Sequence, residues 1–449
     1  MKGKTVDMTQ GNISAHMLKY AVPLVLTNIL QLTYNAVDSI IVGRFVGNEA
    51  QAAIGIANPL MNVLIYFISG SCTGIAVLIS EFFGAGDHAK LKKEMGTAAK
   101  FGGCFFLGLA LLCFILAPFL LGLINTPPEI LGLTTAYVRT VLCGILFVFT
   151  YNLYSCALRG VGNVNAPLVF LGCSTTLNIF LDILFVMVLK AGVLGAALGT
   201  VISQGVACLL CMFYVNTRVE FLRIGFRDLR ITPSLLSSSL NYAVSTGSQK
   251  IVLMVGKLLV QGLVNPLGVD VIAAFNAVNR VDDFVFEPGQ SIGAAITTMI
   301  AQNRGAKKAK RIRRAFPVGL LMEFVYWLII GPIVWFCAPA IMSLFSASPD
   351  NVMIGLGVTY LHIMAFLYIM PDMTNGIQGY VRGFGQMNVA LASTTVQLIV
   401  RVATACIVIP RFGMSGIAYC MFFGWSAMLL FEIPYVWCHR KTKFSLPNA

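Results

Sequence analysis

The stretch that decides the fold begins at residue 17, ends at residue 43 and reads MLKYAVPLVLTNILQLTYNAVDSIIVG. It is mostly apolar, and it is longer than the roughly 20 residues that a helix needs to cross a bilayer. Its polar residues are spaced by three or four positions and therefore share one helix face: Asn28, Gln31, Asn35 and Asp38. An apolar helix with one polar face is typical of a membrane protein in which that face lines a cavity or contacts other helices.

The rest of the chain is equally apolar. Of its 449 residues, 57% are hydrophobic and 11% are charged, and the mean hydropathy is +0.82. About a quarter of the residues in soluble domains are charged, so this composition excludes a cytosolic enzyme, a disordered chain and a nucleic-acid-binding domain. Twelve stretches are long and apolar enough to span a membrane: about 17–43, 52–80, 97–121, 131–157, 167–189, 194–217, 236–263, 271–300, 314–338, 352–380, 388–409 and 414–437.

The two halves of the chain resemble each other at an offset of about 221–223 residues. LKYAV at residues 18–22 returns as LNYAV at 240–244, and RGVGN at 159–163 returns as RGFGQ at 382–386. Each repeat holds six spans, and because six is even, both halves enter the membrane from the same side. Parallel repeats of this kind recur in secondary transporters, where the substrate site lies between the halves.

The repeat predicts the architecture. We expect an all-α integral membrane protein whose twelve transmembrane helices form two six-helix lobes related by a pseudo-twofold axis. The predicted N-terminal lobe covers residues 1–218 with spans 1–6, and the predicted C-terminal lobe covers residues 234–449 with spans 7–12. Between them, residues 219–233 form a predicted cytoplasmic linker, because the longest gap between two consecutive spans falls there.

Acidic residues inside the first half predict a cation-coupling site. Asp38 lies in span 1, Asn178 and Asp182 lie one turn apart in span 5, and Thr200 lies near the start of span 6. Two close carboxylates could not both be ionised in a medium of low dielectric, so one would hold a proton or a cation would lie between them. Neutral oxygens from Asn178 and Thr200 suit a hard ion such as Na⁺. The alternative is that these polar groups merely join helices.

Pro23 lies inside span 1, fifteen residues before Asp38. A proline removes a backbone hydrogen bond and permits a kink, so Pro23 is a candidate hinge that converts ion binding into movement. An ordinary membrane proline without that role is the competing interpretation.

The second half carries basic residues as well as acidic ones. Together with Gln31 and Asn35 of span 1, the candidates for a substrate site or a second-lobe polar site are Lys250, Lys257, Arg280, Asp283 and Asp372. Two interpretations are open: the bases pair with nearby acids as scaffold, or they form a pocket for anionic or zwitterionic groups.

Several short motifs, in order and at the expected spacing, resemble a known family. They are YNAVD at residues 34–38, GAGD at 84–87, RGVGN at 159–163 and QNRGA at 302–306. In these motifs and in its twelve-span frame, the chain resembles the multidrug and toxic compound extrusion (MATE) family, with the bacterial DinF-type branch as the nearest match. The resemblance implies a V-shaped transporter of two six-helix lobes that works by alternating access, with export driven by inward movement of Na⁺ or H⁺.

The resemblance also implies roles for particular residues. The family's cation site uses an aspartate on the first helix, an Asn-x-x-x-Asp on the fifth and a threonine on the sixth, which match Asp38, Asn178, Asp182 and Thr200. The family's first-helix proline matches Pro23, and the tenth-helix aspartate of the sodium-coupled branch matches Asp372. That branch also uses a seventh-helix glutamate, whereas span 7 here offers Lys250 and Lys257.

The predicted function is therefore secondary active antiport, not enzyme catalysis. We expect export of drugs or other small amphiphilic compounds in exchange for H⁺ or Na⁺. The alternative is a flippase for lipid-linked oligosaccharides or lipids from the same wider superfamily. We expect a monomer that contacts membrane lipids and a small-molecule substrate, binds no nucleic acid, and needs no cofactor or metal beyond Na⁺ at Asp38 and Asp182.

The basic excess predicts the topology. Most of the 31 Lys and Arg residues, which give the chain a net charge of +13, fall at the N-terminus, in the loops after even-numbered spans and in the C-terminal tail. By the positive-inside rule, both termini are cytoplasmic. We expect a multi-pass protein of a bacterial inner membrane.

Overall fold

The computed structural model describes residues 6–225, 228–345, 352–442 and 444, without the side chains of residues 35–40, 42–44 and 48. Within those ranges the chain is almost entirely helical and contains no β-strand. The predicted all-α membrane fold is therefore confirmed.

The first half contains seven α-helices: α1 (Ile13–Phe45), α2 (Asn48–Gly84), α3 (His88–Leu123), α4 (Pro128–Cys143), α5 (Ile145–Gly160), α6 (Asn165–Asp182) and α7 (Gly192–Arg218). A π-helical segment, Ile183–Val188, continues α6. The second half also contains seven: α8 (Pro233–Val264), α9 (Val269–Gly305), α10 (Ala309–Ser343), α11 (Val352–Leu367), α12 (Ile369–Gly383), α13 (Met387–Phe412) and α14 (Met414–His439).

Most of these helices are long and apolar enough to cross a membrane. Among the described residues, nine helices meet that condition, or up to eleven spans if each of two bent pairs counts as one. The bent pairs are α4 with α5, at 44°, and α11 with α12, at 43°. Predicted spans 4 and 10 are therefore each broken in two, at Gly144 and Tyr368. The remaining long helix, α9, occupies the position of predicted span 8 and carries several charged residues.

Contacts between Cα atoms group the chain into two compact units. One is formed mainly by Leu26–Gly247, and the other by Met8–Val25 together with the chain from Ser248 onward. Each unit has its own apolar core. The division falls inside α1 and inside α8, whereas the lobe boundaries at residues 218 and 234 rest on the repeat and stay a prediction.

In the first unit, the segment that precedes α8 is held against the start of α3. Lys92 forms an ion pair with Asp228 (2.9 Å), and the backbone N–H of Thr232 donates to Thr97 Oγ1 (3.1 Å). The Lys92 ammonium group and the Gly225 backbone N–H both stabilise the charged carboxylate, so the pKa of Asp228 lies below its ordinary value. This segment therefore has a fixed position on α3.

In the second unit, α9 and α12 pack unusually closely. A Cβ on Gly379 would lie 2.5 Å from the backbone oxygen of Gly293, and a Cβ on Gly383 would lie 2.5 Å from Ile300 Cβ. Only glycine permits this approach of two helices. As a result, the polar residues of α12 are brought against α9, in the interior of the unit.

Candidate functional site

Asn178 and Asp182 lie together at the end of α6, where α6 packs on α7. Asn178 is 1% exposed and Asp182 is fully buried. A Cβ on Gly199 of α7 would lie 2.6 Å from Asp182 Oδ1, so the absence of a side chain there makes room for the carboxylate. Ser174 Oγ donates to the backbone oxygen of Ser203 (2.8 Å) and ties the two helices together nearby.

The backbone changes its winding directly after Asp182. The α-helix ends at that residue, and the next six residues, Ile183–Val188, form a π-helix. Single π-helical turns are rare and frequently lie at functional sites, because they redirect side chains within an otherwise regular helix. Neither residue types nor spacing in this stretch indicate the change.

Thr200 and Asn178 have spare hydrogen-bonding capacity. Thr200 is half-buried, and its hydroxyl donates to the backbone oxygen of Ala196 (3.1 Å), which leaves its own oxygen able to accept. The amide oxygen and nitrogen of Asn178 have no hydrogen-bond partner within the described part of the chain. Buried polar groups are normally satisfied, so this amide is a candidate ligand for a cation or a protonated carboxyl group.

The structure describes the side chains of only some of the predicted residues of α1. α1 carries Asp38 and Asn35, but their side chains lie outside the described residues, so the prediction that Asp38 meets Asp182 stays open. Gln31 is exposed, and Pro23 is half-buried within the continuous helix α1, two residues before the division between the compact units.

The basic residues of the second half have mixed environments. Lys257 forms an ion pair with Asp283, and both side chains are exposed, which favours the paired-scaffold interpretation for these two. Arg280 is exposed on α9, and Lys250 is half-buried on α8. The described structure therefore does not gather these bases into one buried pocket within the second unit.

Asp372 meets a partner that the sequence did not predict. It is 2% exposed on α12, and it points toward the space left by Gly289 of α9. Glu323 of α10, which is fully buried, points toward the same space. Glu323 is in none of the sites predicted from the sequence. The available signal is that Glu323 is the one charged residue in the apolar run 315–343.

Asp282, a third buried acid in this unit, pairs with tyrosines. Tyr360 and Tyr368 each donate a hydroxyl hydrogen to one of its carboxylate oxygens, at 2.7 and 2.6 Å. Short O–H···O distances of this kind are typical of charge-assisted hydrogen bonds. Asp282 is thus a satisfied acceptor, and it holds Tyr368 at the break between α11 and α12.

Arg139 of α4 has no acidic partner that the sequence indicates, but the structure shows what it binds. Its Nε donates to the backbone oxygen of Phe114 on α3 (3.0 Å), and its guanidinium group lies 5.0 Å from the centre of the Phe114 ring. Pro118, four residues further on, has no N–H to bond that carbonyl. Arg139 therefore satisfies a carbonyl that a proline has freed.

No group of three or more His, Cys, Asp or Glu side chains within the described ranges could hold a metal ion. The polar sites of both units are therefore small: a carboxylate with an amide and a hydroxyl in the first, and carboxylates with tyrosines in the second. A carboxylate beside neutral oxygen donors can take up a proton or one small cation.

Comparison with known proteins agrees with the fold and the repeat. The MatE family model matches residues 23–184 and again residues 248–407, as expected for a duplicated chain. The probable multidrug resistance protein YpnP of Bacillus subtilis is 28% identical over 86% of this chain and 85% of its own. The probable multidrug resistance protein NorM of Thermotoga maritima is 24% identical over 83% of this chain and 80% of its own.

Solved structures share the whole fold. One, described as the outward-facing conformation of a multidrug resistance MATE family transporter of the MOP superfamily, has a TM-score of 0.90 at 19% identity over 99% of both chains. Another, a MATE protein in complex with MaL6, has a TM-score of 0.88 at 21% identity over 98% of this chain and 99% of its own. The DinF-type branch stays a prediction. The two matches to the MatE family model together cover well over half of this chain, and the chain therefore belongs to the MATE family of multi-pass membrane transporters.

Proposed function

We propose that this protein is a secondary active antiporter that exports drugs or other small amphiphilic compounds in exchange for H⁺ or Na⁺. Its bacterial relatives are named as multidrug resistance and multidrug export proteins, which supports this substrate class. The observation that carries the coupling step is the fully buried Asp182 beside an amide, Asn178, that has unused hydrogen-bonding capacity.

The chemistry of these residues suits reversible loading with one positive charge. An ionised carboxylate inside a membrane protein is costly, so a proton or a small cation stabilises Asp182. The Asn178 amide and the Thr200 hydroxyl oxygen are neutral ligands that orient that charge without holding it irreversibly. Asp38, assigned by family resemblance, would supply the second carboxylate, and Pro23 would let α1 bend as the charge changes.

Alternating access then requires that the two conformations of the transporter bind the positive charge with different affinity. Loading the site with a proton or a cation neutralises the buried carboxylate and so shifts the equilibrium toward the conformation that binds the charge more tightly. The substrate and the coupling ion would use opposite states of the same protein. We propose the orientation with both termini cytoplasmic, in the bacterial inner membrane, on the distribution of Lys and Arg.

Everted membrane vesicles test this proposal. Export activity appears there as dye or drug accumulation that requires a proton or sodium gradient, and replacing Na⁺ by choline at fixed pH identifies the ion. We expect Asp182→Asn to abolish accumulation, because an amide cannot be charged and discharged, and Asn178→Ala to reduce it at least tenfold.

Asp270→Asn is the matched control, because Asp270 is an exposed aspartate in the first turn of α9. It should leave accumulation within about twofold of the wild type, since substitutions of exposed residues away from a functional site usually have small effects. Normal gradient-driven export by a folded Asp182→Asn protein would refute the coupling role. Gradient-independent lipid movement without drug export would instead favour a flippase.

A further inference from the structure

An apolar groove opens on the surface of the second unit, where the end of α11 meets α13 and α14. Its volume is about 550 Å³, and aliphatic and aromatic side chains line it throughout. This volume lies within the roughly 300–1,000 Å³ of ligand pockets. Besides residues of α11, the lining consists of Val408, Phe412, Tyr419, Phe422 and Phe423. None of these residues belongs to the polar sites described above.

A tight turn between α13 and α14 sets the shape of the groove. α13 ends at Phe412 and α14 begins at Met414, with only Gly413 between them, at a φ of 55°. A Cβ on Gly416 would lie 2.7 Å from the backbone oxygen of Val408, so the two helices are in backbone contact beside the turn. This contact fixes the helices that carry the lining side chains.

The aromatic rings of the groove lie in pairs along the two helices. The Phe412 and Tyr419 rings are 5.8 Å apart, edge to face, and the Phe422 and Phe423 rings are 5.4 Å apart. All four side chains are at least 39% exposed. From the turn to Phe423, α14 rises about 14 Å. The hydrocarbon core of a bilayer is about 30 Å thick, so the groove has the length of about one leaflet.

A basic residue lies at the turn end of the groove. Arg411 directly precedes Phe412, and it shares a helix face with Val408, three residues before it. Its side chain is exposed and forms no ion pair within the described part of the chain. A guanidinium group binds a phosphate through two parallel hydrogen bonds. The groove therefore combines an apolar length of one leaflet with a phosphate-binding group at its end.

The charge of Arg411 runs against the topology of the chain. Of the 31 Lys and Arg residues, only Arg44, Lys190 and Arg411 fall in the loops after odd-numbered spans, on the predicted non-cytoplasmic side. Arg411 and Lys190 also correspond in the repeat. GVLGAA at residues 192–197 returns as GMSGIA at 413–418, so each base lies two residues before the glycine that begins the motif.

The two halves share this base but not the rings. At the repeat offset of 221, the counterparts of Phe412, Tyr419, Phe422 and Phe423 are all aliphatic: Ala191, Leu198, Val201 and Ile202. Both bases lie at the end of a helical segment, where a positive charge is favourable, so the base alone does not indicate a ligand. Only in the second half do four rings accompany it at these positions.

We propose that this groove binds an anionic phospholipid of the non-cytoplasmic leaflet, with one acyl chain along the rings and the phosphate on Arg411. A zwitterionic phospholipid carries a cation next to its phosphate, and that cation competes with the guanidinium group, whereas an anionic lipid carries none. Apolar contact with any lipid would need no base, so Arg411 is what selects the charge. Lipid binding here does not depend on the proposed export function.

Photocrosslinking in proteoliposomes tests the site. The full-length protein is reconstituted in phosphatidylcholine that contains a small share of either phosphatidylglycerol or phosphatidylcholine with a diazirine in one acyl chain, and labelled peptides are mapped. We expect phosphatidylglycerol to label α13 and α14 about fivefold more than phosphatidylcholine does, the usual effect of one base on an anionic lipid. Arg411→Gln should bring this ratio close to one. Lys190→Gln, the matched control, should leave it unchanged.

The rings are tested by giving them the residues of the first half. Tyr419→Leu/Phe422→Val/Phe423→Ile should lower labelling of α13 and α14 by phosphatidylglycerol at least threefold, because aromatic rings supply a large part of the contact area. A salt series on the wild type needs no variant: the phosphatidylglycerol preference should fall between about 0.05 and 1 M NaCl, as the Debye length shortens.

Three results would overturn the proposal. Equal labelling of the groove by both lipids in the wild type would mean ordinary lipid contact. A preference that persists in Arg411→Gln or at high salt would mean that the base does not recognise the phosphate. Absence of labelling by either lipid would mean that protein, such as a second copy of this chain, covers the groove. None of these measurements involves transport, so they leave the coupling role of Asp182 untouched.

Discussion

Gly199 illustrates how one missing side chain fixes the position of a buried carboxylate. Asp182 Oδ1 lies 2.6 Å from the place where a Cβ on Gly199 would be. Real Cβ atoms do not approach an oxygen so closely, so α7 and the carboxylate fit together only because residue 199 is glycine. The same reasoning applies to Gly289 and Asp372 in the second unit. In both units, a glycine on the neighbouring helix leaves the room that the buried carboxyl group occupies.

Gly199→Ala should therefore displace Asp182 and impair coupling. We expect at least a tenfold loss of gradient-driven export with little loss of folded protein, because one methyl group is added at a helix contact. The measurement is dye accumulation in everted vesicles, normalised to the amount of protein in the membrane.

Gly205→Ala, on the same helix, is the matched control for this substitution. A Cβ there would make ordinary contacts, at 3.6 Å from Phe147, so export should stay near the wild-type rate. Equal losses in the two variants would mean that α7 simply does not tolerate alanine, and the argument about Asp182 would fail.

At the scale of helices, both halves stabilise a proline-containing span in the same way. Pro118 of α3 leaves the carbonyl of Phe114 without its helical N–H, and Arg139 donates to it. At the repeat offset, Pro339 of α10 follows Trp335 by four residues, and Nε2 of His362 lies 3.1 Å from the Trp335 carbonyl oxygen. The side chain also stacks on the aromatic ring in each case, at 5.0 Å for Arg139 and 4.3 Å for His362.

A double-mutant cycle tests the first of these contacts. In Pro118→Ala the carbonyl of Phe114 regains a helical N–H, so Arg139→Met should cost less stability than it does in the wild type. We expect a coupling energy of about 1 kcal/mol, the usual size of a polar contact between membrane helices. The measurement is thermal unfolding in detergent. Additive effects of the two substitutions would show that Arg139 does not depend on the freed carbonyl.

The sequence predicts regular helices better than their interruptions. Spanning length depends on local composition, so each predicted span has a helix in the structure. At the break between α11 and α12, Pro371 has no N–H to bond the carbonyl of Leu367, so the sequence carries a local signal there. What the sequence does not show is that the Tyr368 hydroxyl at this break binds Asp282, 86 residues away. The partner of Asp372 likewise comes from another helix, and no spacing within one helix connects it with Glu323. The site predictions at Asn178 and Asp182 needed only one turn of one helix, which a sequence displays directly.

At the scale of the whole molecule, the segments that precede the first helix of each repeat are firmly held. Residues 8–11 belong to the second unit, where the Arg311 guanidinium group donates to the backbone oxygens of Gln10 and Gly11 (both 2.7 Å). The segment before α8 belongs to the first unit, where Thr232 binds Thr97, and in the second turn of α8 itself Ser239 Oγ donates to the buried Glu94 (2.6 Å). Since α1 and α8 each continue into the other compact unit, these contacts fix where both helices begin.

The ion pair of Lys92 with Asp228 should make the hold on the second segment sensitive to acid. Because the pKa of Asp228 is lowered in the folded protein, its contribution is complete above the ordinary value of 3.8 and is lost as the pH falls through the lower folded value. Asp228→Asn should therefore expose this segment already at neutral pH. We expect tryptic cleavage at Arg223 or Arg230 to become faster by no more than several-fold, because an exposed ion pair is weak.

Glu220→Gln is the control, since it removes a carboxylate from the same segment without touching Lys92. Pepsin extends the test to acid, from about pH 5 to about pH 2. As the Asp228 carboxylate is protonated, the cleavage rate of the wild-type segment should rise toward the rate in Asp228→Asn, until the two rates are equal. A wild-type rate that keeps the same ratio to the Asp228→Asn rate over this range would show that the carboxylate does not hold the segment. In that case the hydrogen bonds of Thr232 with Thr97 and of Ser239 with Glu94 would be the ones that fix the start of α8.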